Sequence, residues 1–75
     1  MNQEILIVDD EPRLTESLKI IFKNKGFRVQ TSCDGLEAIE IFRGSPVKVV
    51  LTDIQMPNMN GFDLFCNLKK IDPFV

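Results

Sequence analysis

The stretch that decides the fold is VKVVLTDIQMPNMNG, residues 47–61. It opens with a short run of mostly β-branched apolar residues, which is typical of a strand buried in a parallel sheet. Asp53 follows this run directly, so we expect it at the carboxyl end of the strand, where open α/β sheets place their chemistry. Pro57 cannot donate to a sheet ladder, and Asn60 with Gly61 predicts a turn that opens a helix. Taken alone, Asp53 could equally be an acid that only turns or caps the strand end.

The beginning of the chain repeats this pattern. Glu4–Val8 (EILIV) is a second apolar run, and we predict a second buried strand there. Three acids follow it, Asp9, Asp10 and Glu11, and Pro12 fits the first turn of a helix because its missing N–H costs nothing at that position. Seen alone, these acids could serve only to favour the helix N-terminus through its macrodipole.

Between these two strands the sequence alternates between helix and strand patterns. The helix that begins at Pro12 should end near Gly26, and residues 27–31 alternate as a half-buried strand does. Residues 34–37 (DGLE) resemble a capping box, so we predict that they open a second helix, which residues 44–46 (GSP) would end.

A third helix is predicted from Asn60-Gly61 to Asp72-Pro73, and Phe74-Val75 resembles the start of a further strand. The order strand, helix, strand, helix, strand, helix predicts right-handed βαβ units in a single parallel sheet. The apolar positions at helical spacing should face the core. They are Leu14, Leu18, Ile21, Phe22, Leu36, Ala38, Ile39, Phe42, Leu64, Phe65 and Leu68.

Length and composition exclude several classes of protein. The chain has 75 residues and a net charge of −2, which gives no basic patch for direct binding of nucleic acid. No apolar run reaches membrane-spanning length and no signal peptide is apparent, so we expect a cytoplasmic protein that does not bind membranes. Two cysteines without any histidine do not make a zinc site. We expect both to be reduced, with Cys66 on a helix face and Cys33 in or near a loop.

The acids at the two strand ends suggest a metal site. If the strands are neighbours, three carboxylates meet at one edge, where like charges about 4 Å apart repel by roughly 1–4 kcal/mol. A hard divalent cation resolves this conflict, and Mg²⁺ suits a site of one or two carboxylates, waters and a phosphate. A carboxylate beside Mg²⁺ can attack a phosphoryl group. We therefore predict Asp53 as the nucleophile, with Asp9 and Asp10 holding the metal.

Three ordered motifs closely resemble those of the receiver domain of two-component response regulators: ILIVDDE at 5–11, DGLEA at 34–38 and VLTDIQMPNMNG at 50–61. The resemblance implies a flavodoxin-like α/β fold with a parallel sheet of strand order 2-1-3. It also implies a phosphoacceptor module rather than an enzyme. Its phosphodonor would be a histidine kinase or a phosphotransfer protein, and its cofactor Mg²⁺.

The resemblance also assigns roles to single residues. Asp53 would be the phosphoacceptor, Asp10 and Asp53 would ligate Mg²⁺, and Asp9 would lie next to the metal through a water molecule. Gln55 would offer its backbone carbonyl to the metal, and its side chain occupies the position where the family tunes dephosphorylation. Leu14 is expected in the core, although the resemblance allows it to be an exposed kinase contact.

Receiver domains continue with a fourth and a fifth strand, which bring a Ser or Thr and a Lys to the phosphoryl group. Residues 1–75 are therefore expected to be the N-terminal portion of a receiver. The alternative function is a structural or interaction module without productive phosphotransfer, and an open strand edge would favour a homo-oligomer. A phosphatase with an aspartate nucleophile is disfavoured, because such enzymes need an acid where this chain has Gln55.

Overall fold

The structure is a computed structural model that describes residues 3–45, 47–53, 59–73 and 75. Strands and helices alternate along the chain in the predicted order. No helix within the described residues is long and apolar enough to cross a membrane. The elements are β1 (Glu4–Val8), α1 (Pro12–Asn24), β2 (Arg28–Ser32), α2 (Gly35–Gly44), β3 (Val49–Thr52) and α3 (Gly61–Ile71).

The three strands form one parallel sheet of order β2-β1-β3, which confirms the predicted fold class. β1 is the central strand, and its four apolar residues are buried because helices cover both of its faces. Val8 stands opposite Ser32 on one side and opposite Thr52 on the other. This register aligns the carboxyl ends of all three strands, so the residues that follow them begin at the same edge.

The main core lies between the sheet and the pair α2 and α3. Leu6 and Val8 point from β1 into this core, since alternate strand residues share one face. The core is completed by buried residues of α2 and α3 and of the segment before β3: Ala38, Ile39, Phe42, Val47, Leu64 and Leu68. Deletion of one such side chain typically costs about 2–5 kcal/mol, so this core is the main source of the fold's stability.

Six residues predicted to be buried, four on helices and two on β3, are exposed instead. Leu14 and Ile21 of α1 are 46% and 48% exposed, because α1 packs mainly on β1 and β2 and turns Thr15 toward them. Leu36 lies one position past the buried Gly35 on α2 and turns outward. The others, Phe65 on α3, Val49 and Leu51 on β3, are also exposed.

In each case the helix or strand was predicted correctly, but no other element of the described residues packs on the face that was predicted to be buried. The prediction of β3 as a buried strand fails because β3 is the edge of the sheet and one of its faces stays half open. The ring of Phe65 lies outside the core, with the Nζ of Lys69 5.5 Å from its centroid. This leaves apolar surface exposed on α1 and β3.

The predicted helix boundaries are accurate to one or two residues, and α1 ends at Asn24 rather than near Gly26. β2 is displaced by one residue from 27–31. The Asp34 carboxylate accepts from the Glu37 N–H at 2.7 Å, as a capping box requires. The Glu37 carboxylate accepts from the N–H of Cys33, 3.2 Å away, rather than from that of Asp34. Gly26, at φ +93°, closes α1 in a conformation that glycine favours.

The remaining predictions concern the C-terminal residues and the two cysteines. Phe74, predicted to begin a further strand, lies outside the described residues, and Val75 is described but belongs to no strand. Both cysteines are free and exposed, Cys66 on α3 and Cys33 between β2 and α2, as predicted.

Candidate functional site

The sheet brings two acids to one edge through its own hydrogen bonds. Asp9 is the first residue after β1, and its N–H donates to the carbonyl of Ser32 at 3.1 Å. Asp53 is the first residue after β3, and its N–H donates to the carbonyl of Val8 at 3.2 Å. Each backbone bond extends the ladder by one residue, so both acids are positioned by the sheet itself.

Asp9, Asp10 and Asp53 form the cluster predicted from the sequence. Each offers one carboxylate oxygen, and these three oxygens all lie within 4.8 Å of one another. The side chain of Asp9 is 8% exposed, whereas Asp10 and Asp53 are exposed to solvent. A buried carboxylate beside two accessible ones forms a site that solvent, and a ligand, can enter from one side.

The orientation of Asp9 is fixed by its own turn. Its Oδ1 accepts from the N–H of Glu11 at 2.9 Å. This bond satisfies one oxygen of a nearly buried carboxylate and leaves its other oxygen for a ligand. Since Asp9 bonds to the residue before the helix rather than to a helical N–H, the macrodipole alone does not explain why the acid lies here.

Two buried polar residues near the acids were missed in the sequence analysis. Thr15 is buried in α1, and its Oγ1 donates to the carbonyl of Pro12 at 2.9 Å. Ser32 is buried at the end of β2, and its Oγ donates to the carbonyl of Asp34 at 2.7 Å. Both line a cavity of about 100 Å³ beside Asp9. Only the helical spacing of Thr15 with the half-buried Leu18 and Phe22 could have signalled its inward position.

The cluster has the donor set and the dimensions of a site for a hard cation. All three donors are carboxylate oxygens, the ligand type that Mg²⁺ prefers. Opposite ligands of an octahedral Mg²⁺ stand roughly 4.2 Å apart, since each bond is about 2.1 Å. Three oxygens within 4.8 Å of one another are therefore near enough to hold one ion, directly or through a water molecule. Gln55, whose backbone carbonyl is the remaining predicted ligand, lies outside the described residues.

The chain belongs to the response regulator receiver domain family, whose family model matches residues 5–75. Among curated relatives, the DNA-binding response regulator MtrA of Mycolicibacterium smegmatis is 39% identical over 72 residues. That match covers 96% of this chain and 31% of the relative. The chain thus spans about a third of the length of the curated relatives it matches.

Solved structures agree with this assignment. A response regulator receiver domain protein from Clostridium thermocellum is 33% identical and superposes with a TM-score of 0.90, covering 95% of this chain and 58% of that one. The response regulator TrrA of Thermotoga maritima, solved in complex with Mg²⁺ and BeF, is 32% identical with a TM-score of 0.89. That match covers 95% of this chain and 62% of TrrA.

Proposed function

We propose that this chain is a phosphoacceptor receiver module of a two-component phosphorelay. Asp53 takes a phosphoryl group from a histidine kinase or a phosphotransfer protein, with Mg²⁺ held by Asp9, Asp10, Asp53 and the backbone carbonyl of Gln55. The observation that carries the proposal is the meeting of three carboxylates, from the ends of two neighbouring strands, within 4.8 Å. Receiver domains are signalling modules, and the family assignment supports this role.

Asp53 is the acid best placed to be the nucleophile. Its side chain is exposed, so a donor can approach it, and its backbone N–H holds it to β1. A carboxylate oxygen of Asp53 attacks the phosphorus, the phosphorus–nitrogen bond of the donor's phosphohistidine breaks, and the departing imidazole nitrogen takes up a proton. Mg²⁺ held by these residues would supply positive charge that offsets the charge on the transferred oxygens.

The two other acids divide the work of holding the metal. Asp10 is exposed at the edge and is the direct ligand in this proposal. One oxygen of Asp9 already accepts from the Glu11 N–H, which suits a residue that reaches the metal through a water molecule. The fixed orientation of Asp9 reduces the rearrangement needed when the ion binds.

The experiment that tests the proposal is labelling by a small acyl-phosphate donor. With Mg²⁺ present, intact-mass spectrometry should show one added phosphoryl group on the wild-type chain, removable by hydroxylamine as an acyl phosphate is. Chelation of the metal should prevent the addition. Labelling that persists without divalent metal, or that maps to a residue other than Asp53, contradicts the proposal.

A second candidate function is a module that associates with another copy of itself. The observation that favours it is an apolar groove of about 260 Å³ beside β3. β3 pairs only with β1 among the described strands, so its other edge is open to a further strand. The lining residues are Lys48, Val49, Val50, Thr52, Leu64, Phe65, Leu68 and Val75.

The charges along β3 indicate how a second copy fits. Lys48 precedes the strand and Asp53 follows it. Two copies paired antiparallel along β3, as a two-fold axis requires, bring Lys48 of each toward the acidic edge of the other. Sedimentation of the chain at several concentrations should show a dimer, and Lys48→Glu should weaken it. A monomer at every concentration contradicts this candidate and leaves the phosphoacceptor proposal untouched.

A further inference from the structure

Gly35 and Met59 are in contact at the start of α2. Gly35 is the first residue of α2 and is buried, and Met59 is a half-buried residue shortly before α3. A Cβ built on Gly35 would lie 2.8 Å from the Sδ of Met59 and 3.0 Å from both its Cβ and its Cγ. Real Cβ atoms essentially never lie within 3.0 Å of another side chain, and contacts of 3.0 Å are already tight, so a larger residue here requires Met59 to shift.

The contact joins the segments that follow two strands. Met59 lies six residues after Asp53 in the sequence and directly before Asn60, whose side chain accepts from the Asp63 N–H and caps α3. The segment that leaves Asp53 therefore ends on the surface that Gly35 provides.

The other partner of the contact is tied to the acids as well. Gly35 follows Asp34, whose carbonyl accepts from the Oγ of Ser32. The carbonyl of Ser32 in turn accepts from the N–H of Asp9. Residues 32–35 thus hydrogen-bond to Asp9 at one end, through the Ser32 carbonyl, and contact Met59 at the other end, where Gly35 has no side chain.

A methyl group at position 35 could not be absorbed by a rotation of Met59. The Sδ can swing away, because it lies at the end of a flexible side chain. The Cβ of Met59 is bonded to its Cα and cannot swing away, so relieving that 3.0 Å approach requires residue 35 or residue 59 to shift by a few tenths of an ångström. Residue 59 is the first described residue after Asp53.

We infer that Gly35 is a positioning residue for the acidic site: its bare backbone seats Met59 and thereby sets where the segment after Asp53 ends. This inference rests on the proposed function, because the geometry that it controls is that of a metal site. Gly35 does not touch the metal or the phosphoryl group and acts through Met59.

The test compares two glycines of one helix by binding of Mn²⁺, followed by paramagnetic broadening of amide signals. Gly35→Ala is the test variant and Gly44→Ala is the control, since a Cβ on Gly44 meets no atom within 4 Å. Both changes replace glycine by a better helix former at an end of α2. Gly35→Ala should weaken Mn²⁺ binding roughly tenfold, as removing an outer support of a metal site does. Gly44→Ala should bind as the wild type does.

A second variant separates positioning from loss of structure. Met59→Ala combined with Gly35→Ala removes the contacts to Cγ and Sδ but keeps the one to Cβ, so it should restore part of the Mn²⁺ affinity. If Gly35→Ala loses its helical circular dichroism, Met59→Ala in the wild-type chain replaces it and should weaken Mn²⁺ binding severalfold while the fold stays intact.

The outcomes distinguish the inference from the proposed function. A wild-type chain that binds no Mn²⁺, or binds it equally after Asp53→Asn, overturns the proposed function and the inference with it. A wild-type chain that binds Mn²⁺ at Asp53, together with a folded Gly35→Ala variant that matches Gly44→Ala, overturns the inference alone. Met59→Ala with unchanged affinity does the same.

Discussion

β1 and β3 look alike in the sequence and differ in the structure. Both are short apolar runs that end in an aspartate, yet β1 is buried along its apolar length whereas β3 alternates between half-buried and exposed residues. The difference comes from position: β1 has a strand on each side and β3 has one. Hydrophobicity therefore identifies a strand of this sheet, while the number of its neighbours decides how much each residue stabilises the fold.

The acids that follow the two strands differ in the same way. Asp9, after the central strand, is nearly buried and is held by the Glu11 N–H, whereas Asp53, after the edge strand, is exposed. A buried, oriented acid suits a supporting role and an accessible one suits reaction with a partner. Four predictions test these differences between the two strands and between their acids.

The largest effect is expected at the accessible acid. Asp53→Ala should abolish labelling by an acyl-phosphate donor, because it removes the attacking oxygen itself. Asp63→Ala, which alters an exposed acid in the first turn of α3, is the matched control and should leave labelling unchanged. The measurement is intact-mass spectrometry after incubation with donor and Mg²⁺. Residual labelling of the Asp53→Ala chain at the wild-type level would assign the nucleophile elsewhere.

The two strands can be compared directly with one substitution made twice. Leu6→Ala in β1 should lower the free energy of unfolding by about 2–5 kcal/mol, because it leaves a cavity in the core. Leu51→Ala in β3 should cost less than about 1 kcal/mol, since that side chain is 41% exposed. Urea titration followed by circular dichroism measures both. Equal costs would show that β3 is covered in solution, which the self-association candidate also predicts.

The third effect concerns neighbouring acids at the end of β1. Asp10→Ala should weaken Mg²⁺ binding by roughly tenfold or more, because it removes a proposed direct ligand. Glu11→Ala should have little effect, since the group of Glu11 that orients Asp9 is its backbone N–H, which alanine keeps. Isothermal titration with Mg²⁺ compares the two variants. A larger loss in Glu11→Ala would reverse the assignment.

The smallest effect follows from charge repulsion within the cluster. Without metal, Asp9→Asn should raise the free energy of unfolding by about 1 kcal/mol, because it removes one of three close negative charges. The asparagine oxygen can still accept from the Glu11 N–H, so the turn is kept. Added Mg²⁺ should stabilise the wild type more than this variant. Urea titrations with and without Mg²⁺ measure both changes, and a less stable Asp9→Asn chain would argue against repulsion.

Most of the fold and the meeting of the acids could be predicted from the sequence, for identifiable reasons. Apolar runs that end in Asp9 and Asp53, together with the alternation of elements, lead to one sheet edge by general rules of parallel sheets. Leu14 and Phe65 were misplaced because helical spacing identifies an apolar face without showing whether anything packs on it. Thr15 was missed because a hydroxyl that bonds its own helix can be buried at little cost.

The contact between Gly35 and Met59 could not be predicted in the same way. The two residues are 24 positions apart, and their closeness depends on how α2 and α3 pack. A glycine after a capping aspartate is already explained by the start of a helix. The sequence therefore does not indicate that Gly35 is also constrained by a contact with Met59. The role of Gln55 stays a prediction, since it lies outside the described residues.

The hydrogen bond from the Asp53 N–H to the Val8 carbonyl has a consequence for the motions of the native chain. The three carboxylates stay together only while β3 remains hydrogen-bonded to β1, and an edge strand is the part of a sheet that opens most readily. Each local opening of β3 disperses the carboxylates while the pairing of β1 with β2 persists. An ion bound by acids at the ends of both strands would therefore hold β3 to β1. It should slow hydrogen exchange at the β3 amides far more than at those of β2.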